Sequence, residues 1–166
     1  MIREEKKWLN FSEPGMADTL LTWWHDLDNS RGDRADLRRC KLPEEVVFVP
    51  SFHRLRVALS PSGYVNDQSL CIVAGVLSHV RNHDGSEKFA AQLARKPPGK
   101  DSPVMSNLRF RKFLSIRDPN FLFRESIRAV RLLDGTANIP DLAQGLYWWN
   151  SRTRKQWAFD YYEKLV

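Results

Sequence analysis

Residues 67–82 read DQSLCIVAGVLSHVRN, and the run from Leu70 to Leu77 carries no charged or hydrogen-bonding side chain. A stretch that is apolar nearly all round predicts a helix covered on every side, here the buried centre of the first half of the chain. Its apolar core is far shorter than the ~20 residues needed to cross a bilayer. Asp84-Gly85 is expected to end it.

Working outward, the apolar positions 16, 17, 20, 23, 24 and 27 have helical spacing. Leu20, Trp23, Trp24 and Leu27 share one face opposite Asp18, Thr22 and Asp26, so the Trp pair is expected in the core. A short helix over SFHRLRVAL (51–59) turns Phe52, Leu55 and Leu59 to one side, and Pro61-Ser62-Gly63 makes a turn. Another covers residues 86–95. The segment KPPGKDSP (96–103) holds three prolines and a glycine, which exclude helix and strand. It divides one helical domain, 1–166, into lobes of about 16–95 and 104–166. Four more helices are predicted near 104–117, 119–134, 139–149 and 152–165. Asp118-Pro119 supplies an N-cap and a first-turn proline, and Asp134-Gly135 a C-terminal stop. Residues 1–14 read as a loose charged lead-in. VVFVP (46–50) is the one strand-like run, and it is too short to stand as one. The expectation is all-α: a compact bundle of about eight to nine helices.

The chain has 166 residues, enough for one real core, and a net charge of +6. A basic excess bears on partners rather than fold, and suits nucleic acid or another anionic surface. No signal-peptide-like apolar stretch opens the sequence, so a cytoplasmic protein without membrane partners is expected. Cys40 and Cys71, the only cysteines, read as reduced core residues.

The cations are clustered. In RGDRADLRRCK (31–41) a helical wheel puts Arg31, Arg34, Arg38 and Lys41 on one ridge, with Leu37 and Cys40 behind it. A solvated face paired with Asp33, Asp36, Glu44 or Glu45 is the competing reading. In the helix after Asp118-Pro119, Arg124, Arg128 and Arg131 share one face, and only Glu125 is placed to pair along it. Three aligned arginines repel one another, which a polyanion along the ridge would relieve. In LRFRKF (108–113), Arg109, Arg111 and Lys112 interleave with Phe110 and Phe113, and Arg117 follows. Such mixtures bind single-stranded nucleic acid. Here the rings are expected in the core and the cations on phosphate. Arg152 and Arg154 open the last helix, where cations oppose the helix dipole. Arginine outnumbers lysine in these clusters, as bidentate phosphate contacts favour.

Candidate chemistry is sparse. His79 and His83 stand one helical turn apart, which is metal-ligand spacing, but no Glu follows His79 and only Asp84 offers a third ligand. No phosphate-cradling glycine loop or nucleophile motif occurs. These features point to a binding protein without cofactors rather than an enzyme.

The segments WWHDLDNSRGDRADLRRC, PSFHRL, RAVRLL and YWWNSRTRKQ occur in an order that resembles the CasB family, the small subunit of type I-E CRISPR Cascade complexes. The likeness runs from about residue 20 to 160. The resemblance implies an all-helical, non-catalytic subunit present in two copies. Its implied partners are the large subunit, the CRISPR RNA-bearing backbone subunits, CRISPR RNA and target DNA. Its basic surface would help hold DNA once guide pairing has opened an R-loop; pairing reads sequence, so backbone contacts suffice. Matching to the family pattern adds support for Arg38, Arg39, Arg54, Arg117, Arg131, Arg152 and Arg154. Arg34 and Arg124 rest on the wheel alone. Competing readings are a scaffold using its cations against acidic proteins, a metal nuclease built on His79 and His83, and a helix-turn-helix regulator reading DNA with 31–41.

Overall fold

In the computed structural model, which describes residues 7–166 apart from the Arg31 side chain, α5 (Asp67–Leu77) is the innermost helix. Leu70 through Leu77 are all buried. The stretch has no polar face because each flank meets another element. Packed on it are α2 (Arg31–Arg39), α3 (Pro43–Val46), α4 (Pro50–Leu59), α8 (Pro119–Leu132) and α9 (Ile139–Tyr147). Gly75 allows the closest approach: a Cβ there would lie 2.4 Å from the Phe123 ring of α8 and 3.2 Å from Val46 of α3.

Around this axis, α1 (Pro14–Asp26) lies against α4 and α9, and α10 (Ser151–Leu165) against α6 (Phe89–Leu93). In α1 the Trp pair is core, with Trp23 donating to the Ser51 carbonyl and Trp24 to that of Val80. α10 is seated by rings. Tyr161 stacks on Phe110 of α7 (Asn107–Leu114) at 3.9 Å, and Trp157 lies parallel to Phe113 at 5.9 Å. Burying each such side chain contributes roughly 1.5–3 kcal/mol. The described chain is therefore all-α, with ten α-helices. Buried side chains from both sides of the 96–103 loop join one continuous cluster running from Leu9 to Tyr161.

Capping fixes several helix starts. Asp118 accepts from the Asn120 amide ahead of Pro119, and Asn66, Ser106, Asn138 and Asn150 cap α5, α7, α9 and α10 in the same way. Several helices are shorter than their sequence patterns: α6 covers only 89–93 of the expected 86–95, and α7 only 107–114 of 104–117.

The largest departure is at the end of α5. The helix stops at Leu77, not at Asp84-Gly85, because the next carbonyls are claimed from outside. Ser78 O accepts from the Arg34 and Arg38 guanidiniums, and Val80 O from Trp24 and Arg34. The chain then extends into β1 (Asn82–His83), which pairs in parallel with β2 (Thr136–Ala137) in the register Asn82↔Thr136 and His83↔Ala137. This two-residue sheet carries no period-2 signature. VVFVP is not a strand: α3 ends at Val46, and Val47 and Phe48 form a turn into α4.

The lead-in also differs from expectation. Residues 1–6 lie outside the described part, but 7–11 are tied across the fold. Leu9 and Phe11 are buried, Phe11 N donates to Gln144, and Trp148 donates to the Leu9 carbonyl. The 96–103 loop closes at its neck, where Val104 N donates to Arg95 O at 2.8 Å and Met105 N to Leu93 O at 2.9 Å.

Candidate anion-binding surface

The turn that ends α8 helps build a cavity lined by three arginines. Asp134 and Gly135 both take positive φ, 53° and 78°. Gly135 N bonds back to Val130 O, and Gly135 O accepts the amides of Arg81 and Asn82. The reversal sets Arg81, just before β1, beside Arg131 in the last turn of α8. A side chain at Gly135 would crowd the Arg81 stem, 3.1 Å from Cγ. Arg38 comes in from the C-terminal end of α2, its Nε anchored 2.7 Å from Ser78 O.

Arg38, Arg81 and Arg131, with His79, Asp134 and Gly135, line an open cavity of about 420 Å³. Among the described residues none of these three arginines forms an ion pair. The pKa of Arg38 is lowered by burial first, then by the neighbouring Arg34 and Arg81. His79 is pushed down to about 4, by burial first and then by Arg131 and Arg38, so its ring is neutral at pH 7.

From Arg131 the positive charge continues along the exposed face of α8 through Arg128 to Arg124, about 10 Å at 1.5 Å per residue. Leu122, Ala129 and Val130 fill the opposite, buried face. Glu125 serves both neighbours, 2.9 Å from Arg128 and 3.6 Å from Arg124, and Arg124 also lies over the Phe121 ring. Arg117 is exposed just before the N-cap of α8.

A second basic region lies on α7 and the start of α10. Arg109 and Arg111 are exposed, while Phe110 and Phe113 are core. Trp149 donates to Ile116 O, which brings the residues leading into α10 to the segment holding Arg117. Arg152 is exposed and lines a separate groove beside Lys7, Lys88, Asp141 and Asp160, and Arg154 is half-buried.

Three sequence candidates fall elsewhere. Arg34 is a correction. It is 9% exposed, and its guanidinium donates to Trp24 O, Val80 O and Asp28 Oδ1 at 3.2, 3.0 and 2.8 Å. α2 has only Leu37 and Cys40 as apolar backing, so the helix rolls until Arg34 joins Leu37 inside, where it caps the ends of two other helices. Arg54 is ion-paired to Asp33 and lines a pocket with Asp18 and Asp26, so it faces acid. Arg39 is paired with Asp36 on the same helix, as the solvated-face reading has it. The helical ridge through Lys41 does not form, because α2 ends at Arg39.

The two histidines do not share a helix. His79 follows α5 and faces the arginines, while His83 lies in β1, where its Nδ1 accepts from the Ile139 amide. A metal cation beside His79 would meet three guanidiniums. Sequence reasoning missed Arg81. The only signal for it was the thinning of apolar residues after Leu77 to Val80 alone, which marks a turn rather than two more turns of helix.

Fold and surface together define an all-helical protein with an arginine-rich face. Residues 33–162 match the family described as CRISPR-associated protein Cse2, and the chain belongs to that family, the CasB (Cse2) small subunits of type I-E Cascade. The fold is also that of a chain in the crystal structure of E. coli Cascade bound to a PAM-containing dsDNA target with a 32-nt spacer. The two share 24% identity over 89% of this chain and 95% of that one, with a TM-score of 0.66. Comparison with curated proteins finds no match. Among the described residues no helix is long and apolar enough to cross a membrane, and no three His, Cys, Asp or Glu side chains are grouped to hold a metal ion.

Proposed function

We propose that this protein is a non-catalytic Cascade subunit that holds nucleic-acid strands by their phosphates. The main contact surface is the row from Arg124 through Arg128 and Arg131 into the Arg38–Arg81 cavity. Arg109, Arg111, Arg117, Arg152 and Arg154 form a second, more scattered set. The carrying observation is the convergence of Arg38, Arg81 and Arg131 on one cavity where, among the described residues, none of them is ion-paired, even to Asp134 in the lining. Cations left unpaired at a shared site repel one another, and a phosphate removes that cost. Arginine without base-reading neighbours suits backbone contact, and in a guide-directed complex pairing carries the sequence information. The neighbours in such an assembly are the large subunit, the CRISPR RNA-bearing backbone subunits and a second copy of this chain.

The test is the combined substitution of Arg124, Arg128 and Arg131 by Ala in the assembled complex. These side chains are exposed, so the isolated subunit should melt as the parent does. R-loop binding should weaken, and the slope of log K against log salt should fall by about 2 for single-stranded contact. Unchanged DNA affinity would remove the row from the interface. Loss of assembly with no change in DNA binding would assign the arginines to acidic protein neighbours instead.

A further inference from the structure

We propose that the Arg38–Arg81–Arg131 cavity is a seat for one phosphate-class oxyanion and that the His79 ring is its fourth donor. This deepens the reading above, and rests on it only for the identity of the strand that carries the phosphate. The Nε2 atom of His79 is buried and has no hydrogen-bond partner among the described residues. A buried ring nitrogen without a partner is unfavourable and rare in a native structure. Here it belongs to a residue lining a cavity whose other polar walls are three guanidiniums and Asp134. An oxyanion in that cavity neutralises the arginines, and a turn of the half-buried ring, whose Nε2 is enclosed in this structure, lets it take the ring N–H as well.

The donors come from separate elements. Arg38 arrives from α2, Arg131 from α8, and Arg81 and His79 from the segment between α5 and β1. A carboxylate presents two oxygens in one plane, which one arginine fork already matches. Four side chains converging from three segments match a ligand with oxygens on several sides, as in a phosphate. Two of the donors are held in place before any ligand arrives: Arg38 by its bond to Ser78 O, and Arg81 by packing over Gly135. Such preorganisation lowers the ordering cost of binding.

The groups facing His79 are Arg38 from α2, Arg131 and Asp134 from α8 and its turn, and Arg81 from its own segment. Burial first, then Arg131 and Arg38, hold the ring neutral, with its pKa at about 4. A neutral ring offers one N–H donor, and an anion among the arginines reverses part of the cationic push.

The experiment uses the full chain with ¹⁵N-labelled histidine and follows the His79 ring nitrogens by NMR. Inorganic phosphate is one arm. A single-stranded oligonucleotide with hydroxyl ends is the other, and its binding is measured in parallel by fluorescence anisotropy. Phosphate should move the His79 signals and raise the pKa of the ring by about one unit or more. The oligonucleotide should move the same signals, and phosphate should compete with it. Arg131→Ala, an exposed position, should weaken phosphate binding about tenfold, whereas Arg56→Ala, at an arginine paired with Asp67 and outside both basic sets, should leave it unchanged. A His79 ring that responds to neither ligand, or a phosphate response equal in Arg131→Ala and the parent, overturns the proposal. An oligonucleotide that binds by anisotropy while His79 stays silent overturns the seat and leaves strand binding intact. If phosphate moves His79 and the oligonucleotide does not bind, the seat stands as a small-anion site and the strand-holding reading fails.

Discussion

Helices α2 and α8 carry nearly the same cationic pattern, arginines at positions 31, 34 and 38 in one and 124, 128 and 131 in the other, yet α8 keeps its row outside while α2 buries Arg34. α8 has a broad buried face that includes Leu122, Phe123, Ile127, Ala129 and Val130. That face decides the roll of the helix, and all three arginines are left outside. α2 offers Leu37 and Cys40, and the roll is decided instead by what Arg34 can reach: Asp28 and the carbonyls at the ends of α1 and α5. Spacing tells which side chains share a face. Only the competing apolar area tells which way the face looks.

The contrast can be broken most forcefully at Arg34. Arg34→Ala removes one of the two donors at the Ser78 and Val80 carbonyls, the bond to Trp24 O, the pair with Asp28 and a buried side chain, and should cost on the order of 3 kcal/mol, read as a lower urea midpoint. A midpoint like that of the parent would mean that Arg34 is not what holds α2 in place. On the α8 side, Gly75→Ala drives a methyl into the Phe123 ring. Overpacking of this kind should cost about 2 kcal/mol and loosen α8 from α5, visible as faster amide exchange in α8. Equal protection in variant and parent would show that the ring simply yields.

His79 tests the ground between the two helices. Its folded pKa of about 4 lies below the ordinary 6.5. The unfolded chain therefore binds the extra proton first, and stability contributed by the neutral ring is full above pH 6.5 and lost as pH falls toward 4. His79→Asn should reduce the pH dependence of stability in that window by up to about one proton. An identical pH profile would contradict the burial of the ring. The smallest effect is expected at Arg39→Ala, which removes an exposed pair with Asp36 and should change stability by no more than about 0.5 kcal/mol.

Much of this was legible in the chain itself. The apolar run of α5, the Trp pair of α1, the capping of α8 by Asp118-Pro119 and the outward arginines of α8 all follow from periodicity and turn chemistry. The features that were not legible share one cause, since they depend on partners distant in sequence. Arg34 and Trp24 stop α5 by binding carbonyls some tens of residues away. β1 and β2 are two residues each and exist only because the turn at Gly135 brings them together. Arg81 was hidden inside the stretch that was expected to stay helical, and Arg54 has the local pattern of a phosphate ligand but three aspartates around it.

The clasp between residues 93–95 and 104–105 has a practical consequence. Both strands of the neck are already hydrogen-bonded where they leave the body, so the length of the 96–103 segment is decoupled from the core. Doubling that length costs only about 0.6 kcal/mol in closure entropy. A fluorophore or affinity peptide can therefore be inserted at the exposed residues 98–102 as a handle without unpacking the helices.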